Sequence, residues 1–591
     1  MKKHYETYVE DTDKLISVAG PVLDYKSWYE QYRKLMEEQA QRKYGLYTPT
    51  SEGDDDDFPS IPGITARYSA LGLTNEQMAA NPVWKNLTGN GHDLQMKNFS
   101  WKGMSGVGGY VGDFSKWVNN RDTTEIGITK SNSKVIIDVK VSQGSGKNIV
   151  FISKSNLGIS NNVTIKITST YPEGVMKFAN SASNKYLKLP SNGIITLQDN
   201  PEYTSNEMHL HLASADLGQI TIEQLPLYPG FILGDGVDDF AVTEKELNFE
   251  DTYTVYTAFI PFQNNPTRNM ILCGADSKKT FSMQYSSLVY VSFIAGNNYY
   301  INAYFVNGLN LFACKRNGNN ICIKNLLTNK VVTGTCGDWV ENAGPYYLWK
   351  NATYASFAKT AIAGQTICNG YFSTDEDDEK VLDWHKKQYP WLFPDQAWTV
   401  TGKTNQDEDR ATIANITGNG NDLVLSNFGF IEGSGYNEEG EYAGYLVTDG
   451  VDDKIVSSVF GMGKDFTIVG DWKFIDNKKS GTGLVKGSSF YIYNTMIGLD
   501  LYINSGSVKN SLDGIKSINA ACSDGRAYDR NWNEILANTG NVVGSGGMLE
   551  VSSSGGRFDR IAFKNLAIYP RILSKDDCIK AYNYLQTLKS K

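Results

Sequence analysis

Residues 87–99, "LTGNGHDLQMKNF", and residues 416–428, "ITGNGNDLVLSNF", are identical at 8 of 13 positions. A second anchor follows each copy: "DGVDD" at 235–239 and again at 449–453. A Thr-Asn pair precedes each (Thr74-Asn75 and Thr404-Asn405), and a further Asp stands 16 positions beyond the first Asp of each DGVDD, at Asp251 and Asp465. Two anchors in the same order mean a duplicated module, so the fold must be one that can stand twice in a chain.

The two copies differ in the distance between their anchors. Thr417 and Asp449 are 32 residues apart, Thr88 and Asp235 are 147, so the first copy carries 115 more. Within that excess, Ile137, Val139 and Val141 alternate with Asp138 and Lys140, and Val163, Ile165 and Ile167 alternate with Thr164 and Lys166. A period of two predicts half-buried strands, here a small β-sandwich inserted at a surface loop. The division expected is residues 1–60 as an N-terminal helical segment and acidic linker, 61–108 plus 227–394 as the first module, 109–226 as the insert and 395–591 as the second module. Within 1–60, residues 24–45 space Trp28, Tyr32, Leu35 and Met36 as a helix would, with Gly45 as a stop. That helix reads equally as a docking peg for a partner or as a cap on the first module.

Gly at 56 against Pro at 16, with 12% aromatic residues, favours many short strands joined by glycine turns. Both modules close on a strand followed by a helix, at 366–389 and 558–590, the second helix opening at Ser574 and the first near Ser373 or Thr374. The run Asp375, Glu376, Asp377, Asp378, Glu379 then reads as helix-start acids on a solvated face, where they meet the positive end of the helix dipole.

Several function classes are disfavoured. A net charge of -9 argues against a nucleic-acid partner. No run of roughly 18 apolar residues predicts a membrane span, and the start "MKKHYETYVEDTDK" has no apolar core of a secretory signal. Seven scattered cysteines without C-x-x-C predict small, half-buried thiols and no zinc site. No E-x-D-x-E strand and no G-x-S-x-G elbow are present, and there are five His, so the expectation is a protein that is not an enzyme. His209 and His211 share one face of a predicted strand and read as a structural pair without a third ligand. The Gly-rich "TGNGHD" and "TGNGND" loops read as tight Asn-Gly turns.

DGVDD itself admits two readings. Its Asp-Gly step suits a turn that begins a core strand, and its acids Asp235, Asp238, Asp239 and Asp449, Asp452, Asp453 are candidate calcium ligands. No cofactor is required by the sequence, calcium being the one to consider. For glycans, exposed aromatic platforms are the requirement. Tyr299, Tyr346 and Trp349 in the first module and Tyr491 and Trp532 in the second are the candidates.

The DGVDD strand start, the antiparallel β character and the closing "IAFKNLAIYPRILSKDD" resemble laminin-G-like, concanavalin A-like jelly-roll domains. The narrower combination of "TNxDxDR", "NITGNGND" and "ITIEQLPLYPG" with DGVDD is similar to virion proteins of tailed phages of gut Bacteroidales, crAss-like phages included, and of related mobile elements. The second copy carries that motif as Thr404, Asn405, Asp407, Asp409 and Arg410, whereas the first has Glu76-Gln77-Met78 there. The resemblance implies a mainly β chain of two laminin-G-like jelly rolls, an inserted β-sandwich and a short helical N-terminal segment. It also implies a virion structural protein, a fibre, tail-associated or capsid-decorating subunit, with a host-adhesion role on carbohydrate. Its partners would be other virion proteins through the N-terminal segment, further copies of itself on the particle, and cell-surface glycans. Pure architecture without sugar binding, or a depolymerase with dispersed acids, are the alternatives.

Overall fold

The computed structural model describes residues 58–119, 124–141, 147–153, 163–179, 186–197, 207–214, 216–262, 269–273, 282–285, 290–294, 300–304, 308–338, 344–350, 357–461, 463–476, 482–486, 490–494, 498–503, 511–513, 518–536, 546–551, 553–554, 557–558 and 560–590. The helix expected at 24–45 lies outside them. The chain is mainly β, as expected from its composition, with antiparallel pairing and, among the described residues, three α-helices: α1 (Asn75–Ala80), α2 (Asp375–Gln388) and α3 (Lys575–Thr587).

The duplication holds strand for strand. In the first module an inner sheet runs Lys330–Thr335, Asn320–Asn325, Asn310–Asn317, Thr252–Pro261, Lys359–Asn369, Ile232–Asp235 and Gly106–Val107, with Ile64–Ser69 also against Lys359–Asn369. The outer sheet runs Val83–Trp84, Leu94–Lys97, Phe240–Thr243, Tyr347–Leu348, Asn269–Cys273, Ser282–Tyr285, Tyr290–Ile294 and Tyr300–Tyr304. The second module repeats the inner order from Glu534–Leu536 through Thr467–Asp476 and Arg560–Tyr569 to Gly435–Asn437, with Gln396–Thr399 alongside. Its outer sheet likewise runs from Thr412–Ile413 through Lys454–Gly461 to Ser511–Asp513. Each sheet pair closes on its own core, Trp84, Phe259 and Trp349 in one and Trp398, Trp472 and Phe563 in the other.

Within the first module, between Gly106–Val107 and Ile232–Asp235, the chain detours. Strands from Val118–Asn119 to Gly218–Gln224 form two five-stranded sheets that pair among themselves, around Ile137, Ile149, Ile165, Phe178, Leu210 and Ile220. The alternating residues the sequence singled out face inward here. Ile137, Val139, Val163, Ile165 and Ile167 are buried while Val141, at the strand's end, is exposed.

What joins the modules is a helical layer. One continuous buried cluster takes Tyr256 and Ala258 from the first inner sheet and Val469, Ala567 and Tyr569 from the second. Val381 and Trp384 of α2 and Ile579 and Leu585 of α3 complete it. Helix α3 also reaches beyond its own module. Tyr584 Oη accepts from the Leu309 amide at 2.8 Å, and Asn583 Oδ1 accepts from Thr164 Oγ1 of the insert at 2.8 Å. Asn583 Nδ2 donates to the Pro226 carbonyl at 3.3 Å.

The acidic run at the start of α2 departs from the solvated face expected of it. Thr374 caps the helix, its hydroxyl accepting from the Asp377 amide at 3.2 Å while the Asp377 carboxylate accepts from the Thr374 amide at 2.9 Å. Asp375 and Glu376 do face solvent. Asp377 and Asp378 do not: Asp378 lies on the stripe of Val381 and His385, which the helical period turns onto the sheet. There it accepts from Lys315 Nζ at 2.7 Å, Lys324 Nζ at 3.0 Å, Tyr256 Oη at 2.9 Å and Ser373 Oγ at 3.2 Å. Among the described residues no helix is long and apolar enough to cross a membrane.

The DGVDD turns and a half-exposed aromatic ledge

DGVDD is the crossing from one sheet to the other. Ile232–Asp235 belongs to the inner sheet and Phe240–Thr243 to the outer, and Tyr445–Val447 and Lys454–Gly461 stand likewise in the second module. The stretch thus ends one strand as well as beginning the next. Its first carboxylate builds the turn: Asp235 Oδ1 accepts from the Val237 amide at 2.7 Å and the Asp238 amide at 3.4 Å. Asp449 accepts from Val451 and Asp452 at 2.7 and 3.3 Å. Glycine is needed because φ is +79° at Gly236 and +75° at Gly450, and a Cβ at Gly236 would stand 2.8 Å from Lys359 Cβ. The last carboxylate closes the turn, Asp239 Oδ2 taking the Asp235 amide at 2.9 Å and Asp453 Oδ2 the Asp449 amide at 2.7 Å.

The two sequence anchors meet at this point. Asn98 and Asn427, from "MKNF" and "LSNF", each donate from Nδ2 to the carbonyl of Asp238 or Asp452 at 3.0 Å. Both asparagines sit at φ +68°, a conformation asparagine tolerates better than most residues. One anchor therefore buttresses the other, a physical reason for their travelling together.

Asp239 and Asp453 are fully buried. Burial, with the neighbouring charges of Asp235 and Asp238, pushes the Asp239 carboxyl up to about 7. The same causes push Asp453 up to about 6. A carboxyl raised above its unfolded value binds protons in the folded state that the unfolded chain has released, so its contribution to stability is lost as pH rises through the folded value. The melting temperature is expected to fall between pH 5 and 8 more steeply in the wild type than in an Asp239→Asn, Asp453→Asn double variant. A variant with the wild-type slope removes these two groups as the cause.

Both trios bring one carboxylate oxygen from each acid within 4.8 Å of the others. Calcium takes 6–8 oxygens, and Asp235 Oδ1 and Asp239 Oδ2 already accept backbone N–H groups. The three acids that build the turn thus supply part of a calcium shell, with Asp239 Oδ1 buried and not engaged by the backbone. Dialysis against EDTA is expected to leave the melting temperature unchanged; a rise on adding calcium that Asp238→Asn abolishes would reinstate the ion.

The glycan candidates fare differently. Tyr346, Trp349 and Trp532 are fully buried, so no ring face of theirs is open to a sugar. Tyr346 donates from Oη to Gln365 Oε1 at 2.7 Å inside the core. Trp349, at φ +60°, turns inward, donates to the Thr360 carbonyl at 2.8 Å and stacks 6.3 Å from Trp84. Gly234 makes room for it, since a Cβ there would stand 2.6 Å from Trp349 Cδ1. Trp532 stands edge-on to Tyr582 of α3 at 5.6 Å. Tyr299 lies outside the described residues, and Tyr491 is placed on the strand Phe490–Asn494.

Aromatic rings do reach the surface one residue away from the expected ones. Tyr347 points outward where Tyr346 points in, and with Phe240 and Phe357 it forms a half-exposed ledge beside the first DGVDD turn. Phe240 and Phe357 lie 6.4 Å apart, and Lys350 Nζ stands 4.3 Å from the Phe240 ring centroid and 5.9 Å from that of Tyr347. Exposed Asp238 is two positions from Phe240 along the chain. In the second module Lys454 takes the place of Phe240 and its Nζ stands 5.6 Å from the Phe558 ring. The signal for Phe240 was its position directly after DGVDD; for Phe357, 117 residues beyond Phe240, there was none.

The remaining candidates have structural partners. His209 is buried, while half-buried His211 has Nδ1 3.0 Å from Asn148 Oδ1, and among the described residues the two acidic trios are the groups able to hold a metal. In "TNxDxDR", Asp407 accepts from the Thr404 amide and hydroxyl, both at 2.9 Å, Asp409 pairs with Lys403 at 2.6 Å, and Arg410 lies 5.1 Å over Phe430. Gln77 does the work of Asp407 in the first copy, accepting from the Thr74 amide at 3.0 Å and opening α1. These acids make turns.

No known family model matches the chain, and no curated protein matches it in sequence. Among solved structures it is similar to the botulinum neurotoxin serotype D binding domain, at 9% identity over 59% of this chain and 90% of that one, with a TM-score of 0.26. It is similar also to a structure of botulinum neurotoxin type C, whose cell entry depends on interaction with two ganglioside molecules (10% identity, 57% and 87% covered, TM-score 0.24). The serotype C1 binding domain gives 8% identity, 57% and 84% covered and a TM-score of 0.24.

Proposed function

We propose that the protein is a carbohydrate-binding adhesin without catalytic activity, carried in many copies on the virion of a tailed bacteriophage as a fibre, tail-associated or capsid-decorating subunit. The observation that carries the sugar reading is the ledge of Phe240, Tyr347 and Phe357, where rings and the Lys350 ammonium lie together at a module's surface, with exposed Asp238 two positions before Phe240 in the chain. Sugars stack their apolar faces on such rings while neighbouring polar groups fix orientation. The non-catalytic part is supported by the acids the sequence brings forward, which close turns, cap helices or pair with lysines. The virion part rests on the phage-like motifs. A weak site of this kind becomes an effective adhesin when many copies act at once.

The test is a glycan array probed with the full chain clustered on beads. Binding to a defined set of glycans is expected, weakened roughly tenfold by Phe240→Ala, the effect of losing about 1.4 kcal/mol of stacking. No binding at high valency would leave the modules as architecture. Release of oligosaccharides from capsular polysaccharide would instead make the protein a depolymerase. Immunogold labelling of purified particles tests the virion assignment separately.

A further inference from the structure

Helix α3 fastens the first module, the insert and its own sheet through Tyr584, Asn583 and its buried face. Two thiols lie at its root. Cys578 is in its first turn, and Cys522 ends the strand Ile518–Cys522 of the sheet beneath. Both are fully buried in one apolar cluster, Cys522 Sγ lies 4.0 Å from the Leu573 carbonyl at the entry to the helix, and the neighbouring Cys522 thiol pushes the Cys578 thiol up. The connection is held in place from the neighbouring strand. Thr467 pairs in register with Cys522, and its hydroxyl accepts from the Leu573 amide at 2.9 Å, just before the helix. The other close pair cannot do the same: Cys314 is opposite Ile323, which puts Cys322 one residue out of register and on the other face of the sheet.

We propose that Cys522 and Cys578 form a redox clasp, closing to a disulfide that staples α3 to its sheet when the protein meets a small-molecule disulfide such as oxidised glutathione. The Cys522 thiolate attacks one sulfur of the oxidant and expels the first glutathione thiolate, leaving a mixed disulfide. The Cys578 thiolate then attacks Cys522 Sγ and expels the second. The protein loses two hydrogens and two electrons, and the oxidant gains them as two molecules of reduced thiol. The closed form constrains the 56-residue separation between the two cysteines in the unfolded chain. Passage from a reducing cytoplasm to an oxidising exterior would drive the closure.

The experiment incubates the full chain at graded ratios of oxidised to reduced glutathione in mild urea, so that the buried pair opens transiently. Remaining thiols are then alkylated, peptides are mapped and a parallel sample is melted. The expected result is a 522–578 cross-linked peptide, alkylation of the other five cysteines (Cys273, Cys314, Cys322, Cys336 and Cys368), and a higher melting temperature after urea removal. That rise should be absent from Cys522→Ala and Cys578→Ala. Recovery of both residues alkylated, or each capped by glutathione, at ratios that cross-link the fully denatured chain would overturn the proposal. So would a lower melting temperature on closure. The peptide map decides even if a variant fails to fold.

Discussion

Replacing Asp378 by alanine is expected to destabilise the first module by about 3–5 kcal/mol, the cost of breaking a buried ion pair from one side. The side chain is 2% exposed and its partner Lys315 is 4% exposed, so neither charge can fall back on water. Loss of the carboxylate leaves the Lys315 ammonium with the Ser373 carbonyl at 3.0 Å and deprives Tyr256 Oη of its acceptor. Asp378→Asn keeps an oxygen for Tyr256 and should fall between alanine and wild type. Asp375→Ala is the informative control. Asp375 also pairs with Lys324, at 2.6 Å, yet its side chain is 87% exposed, so its loss should cost under about 1 kcal/mol. Urea unfolding followed by the near-ultraviolet signal of the first module reads all three. Equal effects from Asp375 and Asp378 would mean that burial does not set the value of this network.

These two aspartates also show where the sequence is legible and where it stops. A run of acids ahead of a helical pattern marks a helix start, and Thr374 does cap it. Which of the acids turns inward depends on the sheet against which the helix lies, and no local pattern carries that. The repeat was legible for a related reason. Asn98 and Asn427 bond the DGVDD carbonyls directly, so the anchors are contacts as well as strings. The fold class and the alternating strands of the insert followed from composition and period. The aromatic ledge did not. Tyr346 and Tyr347 are adjacent, and a shift of one residue in register exchanges core for surface. Trp349 and Trp532 escape alternation altogether, because positive φ values turn them inward.

Ending the chain after Leu573 is expected to abolish the folded second module and to loosen the other two bodies with it. Helix α3 buries Ile579, Tyr582, Tyr584 and Leu585, each no more than 4% exposed, and Leu588 follows at 3%. At roughly 1.5–3 kcal/mol for each large side chain taken out of water, their loss is comparable to the whole stability of a domain, about 5–15 kcal/mol. The effect should not stay within residues 395–591. Without Tyr584 the Leu309 amide loses its acceptor, and without Asn583 both Thr164 and the Pro226 carbonyl lose a partner. Limited proteolysis of the truncated chain should therefore open sites near 309 and 226 as well as in the second module. The double variant Asn583→Ala, Tyr584→Phe keeps most of the helix's apolar burial while cutting these bonds. It should leave the second module protected and expose only the distant sites. Protection at 309 and 226 in both proteins would mean that the apolar layer around Trp384 and Tyr389 holds the bodies together without the helix.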